Sequence, residues 1–81
     1  METLTIHTFG VLKDFFSDRF ELSLELPYTA QEIITLLIKT KPEAKQCLLS
    51  ARVAVNEELV DMTTRFDLAH EIYLLPPSSG G

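Results

Sequence analysis

Residues 20–26, Phe-Glu-Leu-Ser-Leu-Glu-Leu, switch between apolar and polar at every step. A period of two is a β-strand with one face on a core and one in water. Phe20, Leu22, Leu24 and Leu26 take the dry face, and Glu21, Ser23 and Glu25 the wet one. Pro27 cannot donate to a strand ladder and ends it. Thr29 then stands three residues before Glu32, the spacing of a capping box, so a helix starts there. Ala30, Ile33, Ile34, Leu37 and Ile38 give that helix one apolar stripe at 3.6-residue periodicity. A half-dry strand followed at once by a half-dry helix admits few arrangements, because each must cover the other's apolar side. Pro42 disfavours helical geometry at Lys41 and halts the helix near that point. It can also open a shorter helical turn through Glu43–Leu49 as its first residue.

The remaining strands are shorter. Leu4 and Ile6 alternate with Thr3, Thr5 and His7 as a first strand, and residues 11–17 read as a connector of one or two helical turns. Arg52–Asn56 is a third strand with Val53 and Val55 on one face. Asn56-Glu57-Glu58 makes a turn, Leu59-Val60 a brief fourth strand, and residues 61–69 read as irregular. Glu71–Leu75 is the last strand, Ile72 and Leu74 opposing Tyr73 and Leu75. The order β-β-α-β-(β)-β predicts an α+β fold, one mixed sheet with one main helix packed on one face as a right-handed crossover. The β-grasp arrangement shared with ubiquitin fits it. A ferredoxin-like half or another small α+β sandwich fits the pattern as well. Residues 1–75 form the domain, and 76–81, Pro-Pro-Ser-Ser-Gly-Gly, a flexible tail.

Composition narrows the function. With 81 residues there is little room for a deep catalytic pocket, which favours a module that presents a surface or an end to a partner. Seven basic residues against twelve acidic ones, a net charge of −5, argue against nucleic acid, which needs clustered Lys and Arg. They favour a partner with a basic recess. Cys47 is the sole cysteine, so no internal disulfide is possible. Residues 1–9 lack the pattern of a signal peptide and no apolar run suits a membrane span, so a cytoplasmic setting is expected.

The interior offers no catalytic set. His7 and His70 form no ligand pair and read as surface or turn residues. Cys47 beside Leu48 and Leu49 reads as a packed thiol, and Glu57-Glu58 as a solvated hairpin. No glycine-rich loop precedes a helix, so no phosphate cradle is present, and neither a metal nor a bound cofactor is expected. The end is different. A hydrophobic strand, a Pro-Pro pair favouring extended geometry, then Ser-Ser-Gly-Gly and a carboxylate describe an arm leaving a sheet. Without side chains, Gly80 and Gly81 could enter a narrow channel. Strand parity adds that Phe9, Tyr73, Leu75 and Leu59 share the outer face of the sheet as an apolar docking patch.

The segment Ala54-Val55-Asn56-Glu57-Glu58-Leu59-Val60, the last strand and the ending Leu-Leu-Pro-Pro-Ser-Ser-Gly-Gly resemble the MoaD family, the small subunit of molybdopterin synthase. That family carries Gly-Asp-Glu before the last strand, where this chain has Ala69-His70-Glu71. The resemblance implies that an E1-like, MoeB-type enzyme adenylates the Gly81 carboxylate with ATP and that a sulfur donor converts it to a thiocarboxylate. It further implies that the tail enters a MoaE-like large subunit, in a heterotetramer, and gives sulfur to cyclic pyranopterin monophosphate. The chain would then be a co-substrate rather than an enzyme on its own. Gly81 would carry the sulfur, Gly80, Ser78 and Ser79 would thread the channel, and Pro76 and Pro77 would aim the arm. By position Phe9, Leu59 and Leu75 match the family's docking residues, with Tyr73 beside them, and Lys13 matches a basic residue that pairs with a partner's acid. A carrier or modifier serving thiamine, tRNA thiolation or protein conjugation, and a plain non-covalent interaction domain, are the competing readings.

Overall fold

A computed structural model describes residues 2–68 and 70–76 of the chain. Its strands are β1 (Glu2–Thr8), β2 (Arg19–Leu24), β3 (Tyr28–Thr29), β4 (Arg52–Val55), β5 (Glu58–Val60), β6 (Arg65–Phe66) and β7 (Glu71–Leu75). Its helices are α1 (Ala30–Thr40) and α2 (Lys45–Leu49). Short 3₁₀ turns cover Gly10–Asp14 and Pro42–Ala44. Five strands form one sheet in the order β2-β1-β7-β4-β5, and β3 pairs with β6 apart from it. The pairing of β1 with β7 is parallel and the others are antiparallel. The mixed sheet and single main helix expected from the alternation are therefore present.

Leu4 and Ile6 of β1, Ile72 and Leu74 of β7 and Val53 and Val55 of β4 are buried, and Ala30, Ile33, Ile34 and Leu37 of α1 join them in one core. Phe20, Leu22 and Leu24 point to the same side but stay half-buried, because β2 is the sheet's edge and only one neighbour covers it. The capping box is made. The Thr29 backbone N–H donates to Glu32 Oε1 at 2.7 Å, and the Glu32 N–H donates to Thr29 Oγ1 at 3.2 Å. Such a cap stabilises a helix by about 1 kcal/mol.

The stretch expected to be irregular is tied down at three places. Its carbonyls at Thr64 and Met62 accept from Ala30 N–H at 3.2 Å and Gln31 N–H at 2.9 Å, satisfying two donors that the first turn of α1 leaves free. Arg65–Phe66 pairs with Tyr28–Thr29. Tyr28, 1% exposed, donates its hydroxyl to the Leu68 carbonyl at 3.0 Å and accepts from the His70 N–H at 3.4 Å. A two-residue strand has no readable period, which is why the sequence reads as a loop there. The other differences are small. The third strand stops at Val55, one residue early, since Asn56 turns left-handed, and the helical stretch after Pro42 divides into a 3₁₀ turn and α2.

Burial pushes the Tyr28 hydroxyl above its ordinary value of 10.0, with the His70 N–H opposing the shift in part. The folded chain then holds this proton more tightly than the unfolded one, so stability is unaffected below about pH 10 and falls as pH rises beyond it. Tyr28→Phe should cost about 1–2 kcal/mol in urea unfolding at neutral pH, by stranding the Leu68 carbonyl. It should also flatten part of the alkaline decline. An unchanged alkaline slope would assign that decline to other groups.

Candidate functional site

The outer face of the sheet divides into two halves. Toward β2 it is polar, with Thr3 opposite Ser23, Thr5 opposite Glu21 and His7 opposite Arg19. Toward β5 it is apolar and concave. Phe9, Ala54, Glu57, Leu59, Tyr73 and Leu75 line a shallow groove of ≈ 270 Å³. Pairing register explains the concavity. Ala54 lies between Tyr73 on β7 and Leu59 on β5, so a single methyl group forms the floor between two large side chains. Phe9 is 42% exposed and Leu59 54%, a large apolar area for a small domain to leave in water.

Stacking holds one wall. The His7 and Tyr73 rings lie 4.5 Å apart and nearly parallel, and Phe9 follows at 6.3 Å from Tyr73. His7 Nε2 donates to Glu71 Oε1 at 2.7 Å, which fixes the tautomer and the ring plane against Tyr73. His7 read as an unremarkable surface histidine in sequence. Its role here comes from the parallel register His7–Tyr73, which no local pattern reveals. The opposite rim is the hairpin between β4 and β5, whose two turn residues Asn56 and Glu57 have φ of 54° and 66°. Both being left-handed is the requirement of a two-residue type I′ turn, whose twist matches the strands.

All four apolar residues that strand parity put on the outer face, Phe9, Leu59, Tyr73 and Leu75, thus line one groove. Ala54 joins them, and no sequence argument had singled it out. Lys13 does not line it. Its ammonium stands 3.4 Å from Asp18 in an exposed pair, worth between about 0 and 1 kcal/mol and easily exchanged for another acid. Pro76 follows directly on β7. Pro77, Ser78, Ser79, Gly80 and Gly81 lie outside the described residues. Cys47 packs half-buried against the core. Glu57 and Glu58 are both exposed. His70 sets its ring edge-on to Phe66 at 5.4 Å. Among the described residues no three His, Cys, Asp or Glu side chains stand close enough to hold a metal ion, and no helix is long and apolar enough to cross a membrane.

Solved structures share this architecture. A molybdopterin converting factor subunit 1 from Pyrococcus furiosus superposes with a TM-score of 0.79 at 15% identity, covering 93% of this chain and 97% of that one. SAMP1 from Haloferax volcanii gives 0.79 at 18% identity, over 99% and 100% of the two chains. A structure described as small archaeal modifier protein 1 of H. volcanii gives 0.77 at 15% identity, over 93% and 97%. The fold is a MoaD-like β-grasp. No family model and no curated protein matches the sequence. The fold is thus shared with these structures at only 15–18% sequence identity.

The hairpin rim supplies a test of the groove's construction. Glu57 holds a left-handed conformation that costs an L-residue energy and glycine almost none. Glu57→Gly should therefore stabilise the β-grasp by about 0.5–1 kcal/mol, despite glycine's larger unfolded-state entropy. A lowered unfolding midpoint in denaturant would show that the Glu57 side chain contributes something the turn geometry does not.

Proposed function

We propose that this chain is the sulfur-carrying small subunit of a molybdopterin synthase, with the Gly81 carboxylate as its working group. The observation that carries the reading is a continuity. β7 supplies Tyr73 and Leu75 to the apolar groove, and Pro76, the first residue of the Pro-Pro-Ser-Ser-Gly-Gly ending, follows it directly in sequence. A partner that covers the groove is thereby brought next to the origin of the arm. The MoaD-like fold supports a carrier or modifier, and the Pro-Pro-Ser-Ser-Gly-Gly ending favours the molybdopterin branch of it.

In this reading an E1-like, MoeB-type enzyme uses ATP to convert the Gly81 carboxylate into an acyl-adenylate, with pyrophosphate leaving. A sulfur donor displaces AMP and leaves a thiocarboxylate, a good nucleophile at neutral pH. The tail then enters a MoaE-like large subunit in a heterotetramer, and its sulfur passes to cyclic pyranopterin monophosphate. The chain binds no cofactor of its own, and ATP belongs to the activating enzyme. Acid–base groups come from the partner, while the groove provides affinity and Lys13 a cation for a partner's acid. Threading residues 78–81 costs about 1–2 kcal/mol of backbone entropy per residue, which contacts in the groove help to offset. A second reading, a protein modifier, is supported by SAMP1, which superposes as well as the converting-factor subunit does.

Intact mass before and after incubation with a MoeB-type enzyme, ATP and a sulfur source tests the chemistry. One oxygen replaced by sulfur, located at Gly81 and absent when Gly81 is deleted, is the expected result. No change with a demonstrably active enzyme reduces the chain to a non-covalent interaction domain. Transfer of the sulfur to the pterin, rather than linkage of Gly81 to protein lysines, separates carrier from modifier. For the groove, Leu75→Glu should weaken binding to the large subunit at least tenfold, about 1.4 kcal/mol or more, by placing a charge on the apolar wall. Undiminished affinity would put the interface elsewhere.

A further inference from the structure

The last paired residues of the central strands are Thr8 and Leu74, which lie side by side in parallel. One step on, Phe9 and Leu75 both reach the groove. One step further the chains part. Gly10 takes φ +58°, a left-handed conformation, and turns β1 abruptly into the 3₁₀ turn Gly10–Asp14. Pro76 continues from β7 and lays its ring on the bare Cα of Gly10. A Cβ at residue 10 would stand 2.8 Å from Pro76 Cγ and 3.4 Å from its Cβ. The first distance is closer than real Cβ contacts come, so a side chain there has to displace the ring. Two separate observations thus favour glycine at this position, a backbone conformation that strains other residues and a contact that leaves a Cβ no room.

From this we infer that Gly10 is a positioning residue for the C-terminal arm: its missing side chain forms the seat that fixes where Pro76 leaves the sheet relative to the groove. The inference rests on the carrier reading for its functional consequence, but the seat itself is a property of the fold. The ring of Pro76 has a fixed φ and its ψ is held to the extended region by the following Pro77, so seating the ring restricts the direction in which residue 77 starts. An activating enzyme that grips the groove meets the arm at one angle. Displacing Pro76 changes the point and the angle at which the arm starts relative to the groove. The groove residues and the seat therefore form one device, Phe9 and Leu75 reaching the groove and Gly10 and Pro76 following each of them in sequence.

Gly10→Ala, Pro76→Ala and the double variant of the full-length chain separate the seat from simple backbone strain. Gly10→Ala alone should lower kcat/KM for ATP–pyrophosphate exchange at Gly81 by roughly 10–100-fold, the usual cost of a misplaced reacting group. In the Pro76→Ala background Cγ is gone while the left-handed φ remains. There the same substitution should cost only about twofold, a non-additivity that strain cannot produce. Equal losses in the two backgrounds, or a Gly10→Ala variant as active as wild type, overturn the inference. Residual dipolar couplings of the Ser78 and Ser79 amides in an aligned medium read the arm without the enzyme. Gly10→Ala should change them, and in the Pro76→Ala background it should leave them nearly unaltered. If wild type is never adenylated, the carrier reading falls and the couplings decide the seat by themselves. Should Gly10→Ala not fold, cross-relaxation between the Gly10 α-protons and the Pro76 ring protons of the wild-type chain decides: its presence upholds the seat, and its absence sinks it.

Discussion

Everything in this molecule depends on the parallel pairing of the first strand with the last. Thr5 to Thr8 lie beside Glu71 to Leu74 at the centre of the sheet, the remaining strands flanking them. Strands so far apart in sequence pair only when the intervening chain is already compact enough to bring them together, because the entropy of closing that loop has to be offset by burial. The core provides it. Leu4, Ile6, Ile72 and Leu74 are fully buried beneath α1 on one side of the pairing. On the other side the same register stacks His7 on Tyr73. The end of β1 is held by Thr8, whose hydroxyl donates to the Ser17 carbonyl at 2.8 Å and whose N–H donates to Asp18 at 2.9 Å. This buried threonine fixes where the strand stops, and hence where Phe9 and Gly10 begin.

The strand and helix carrying the clearest periodicities could be read directly from the sequence, for a physical reason. Each faces water on one side, so burial imprints itself on alternate or every third and fourth residue. The capping box was legible because it is a local hydrogen-bond pair, and the outer-face patch because strand parity survives wherever no bulge intervenes. What escaped depends on partners distant in sequence. The β3–β6 bridge, the Tyr28 hydroxyl reaching Leu68 and His70, and the Ala54 floor of the groove leave no trace along the chain. His7 lies on the outer face as strand parity indicates, and only its stacking on Tyr73 goes unread for the same reason. Gly10 was passed over because a lone glycine in a connector carries no period, and only the three-dimensional approach of Pro76 shows what it does.

A small domain that leaves Phe9 and Leu59 about half exposed gives up stability it could have had by burying them. The rest of the fold compensates through satisfied polar groups: among the described residues no buried side-chain nitrogen or oxygen lacks a partner. Tyr28 is committed to two backbone groups, Thr8 to a carbonyl and His7 to Glu71. The body of the domain therefore acts as a frame, and its exposed apolar groove is the feature not accounted for by folding.

That division has a consequence for specificity. If the arm does the same chemistry in a carrier and in a modifier, the arm cannot choose between acceptors, and the choice falls to the groove. Its lining is apolar apart from Glu57 at the rim, on a domain whose acids outnumber its bases. Apolar contact there gives affinity without fine discrimination, since a methylene more or less changes binding by only about 1–3 kcal/mol. The charge at the rim, Glu57 on the hairpin, is better placed to reject wrong partners, because a like charge opposite it costs more than a lost contact. Two proteins of this fold with equal grooves and equal tails would then be separated in their acceptors by a few rim charges.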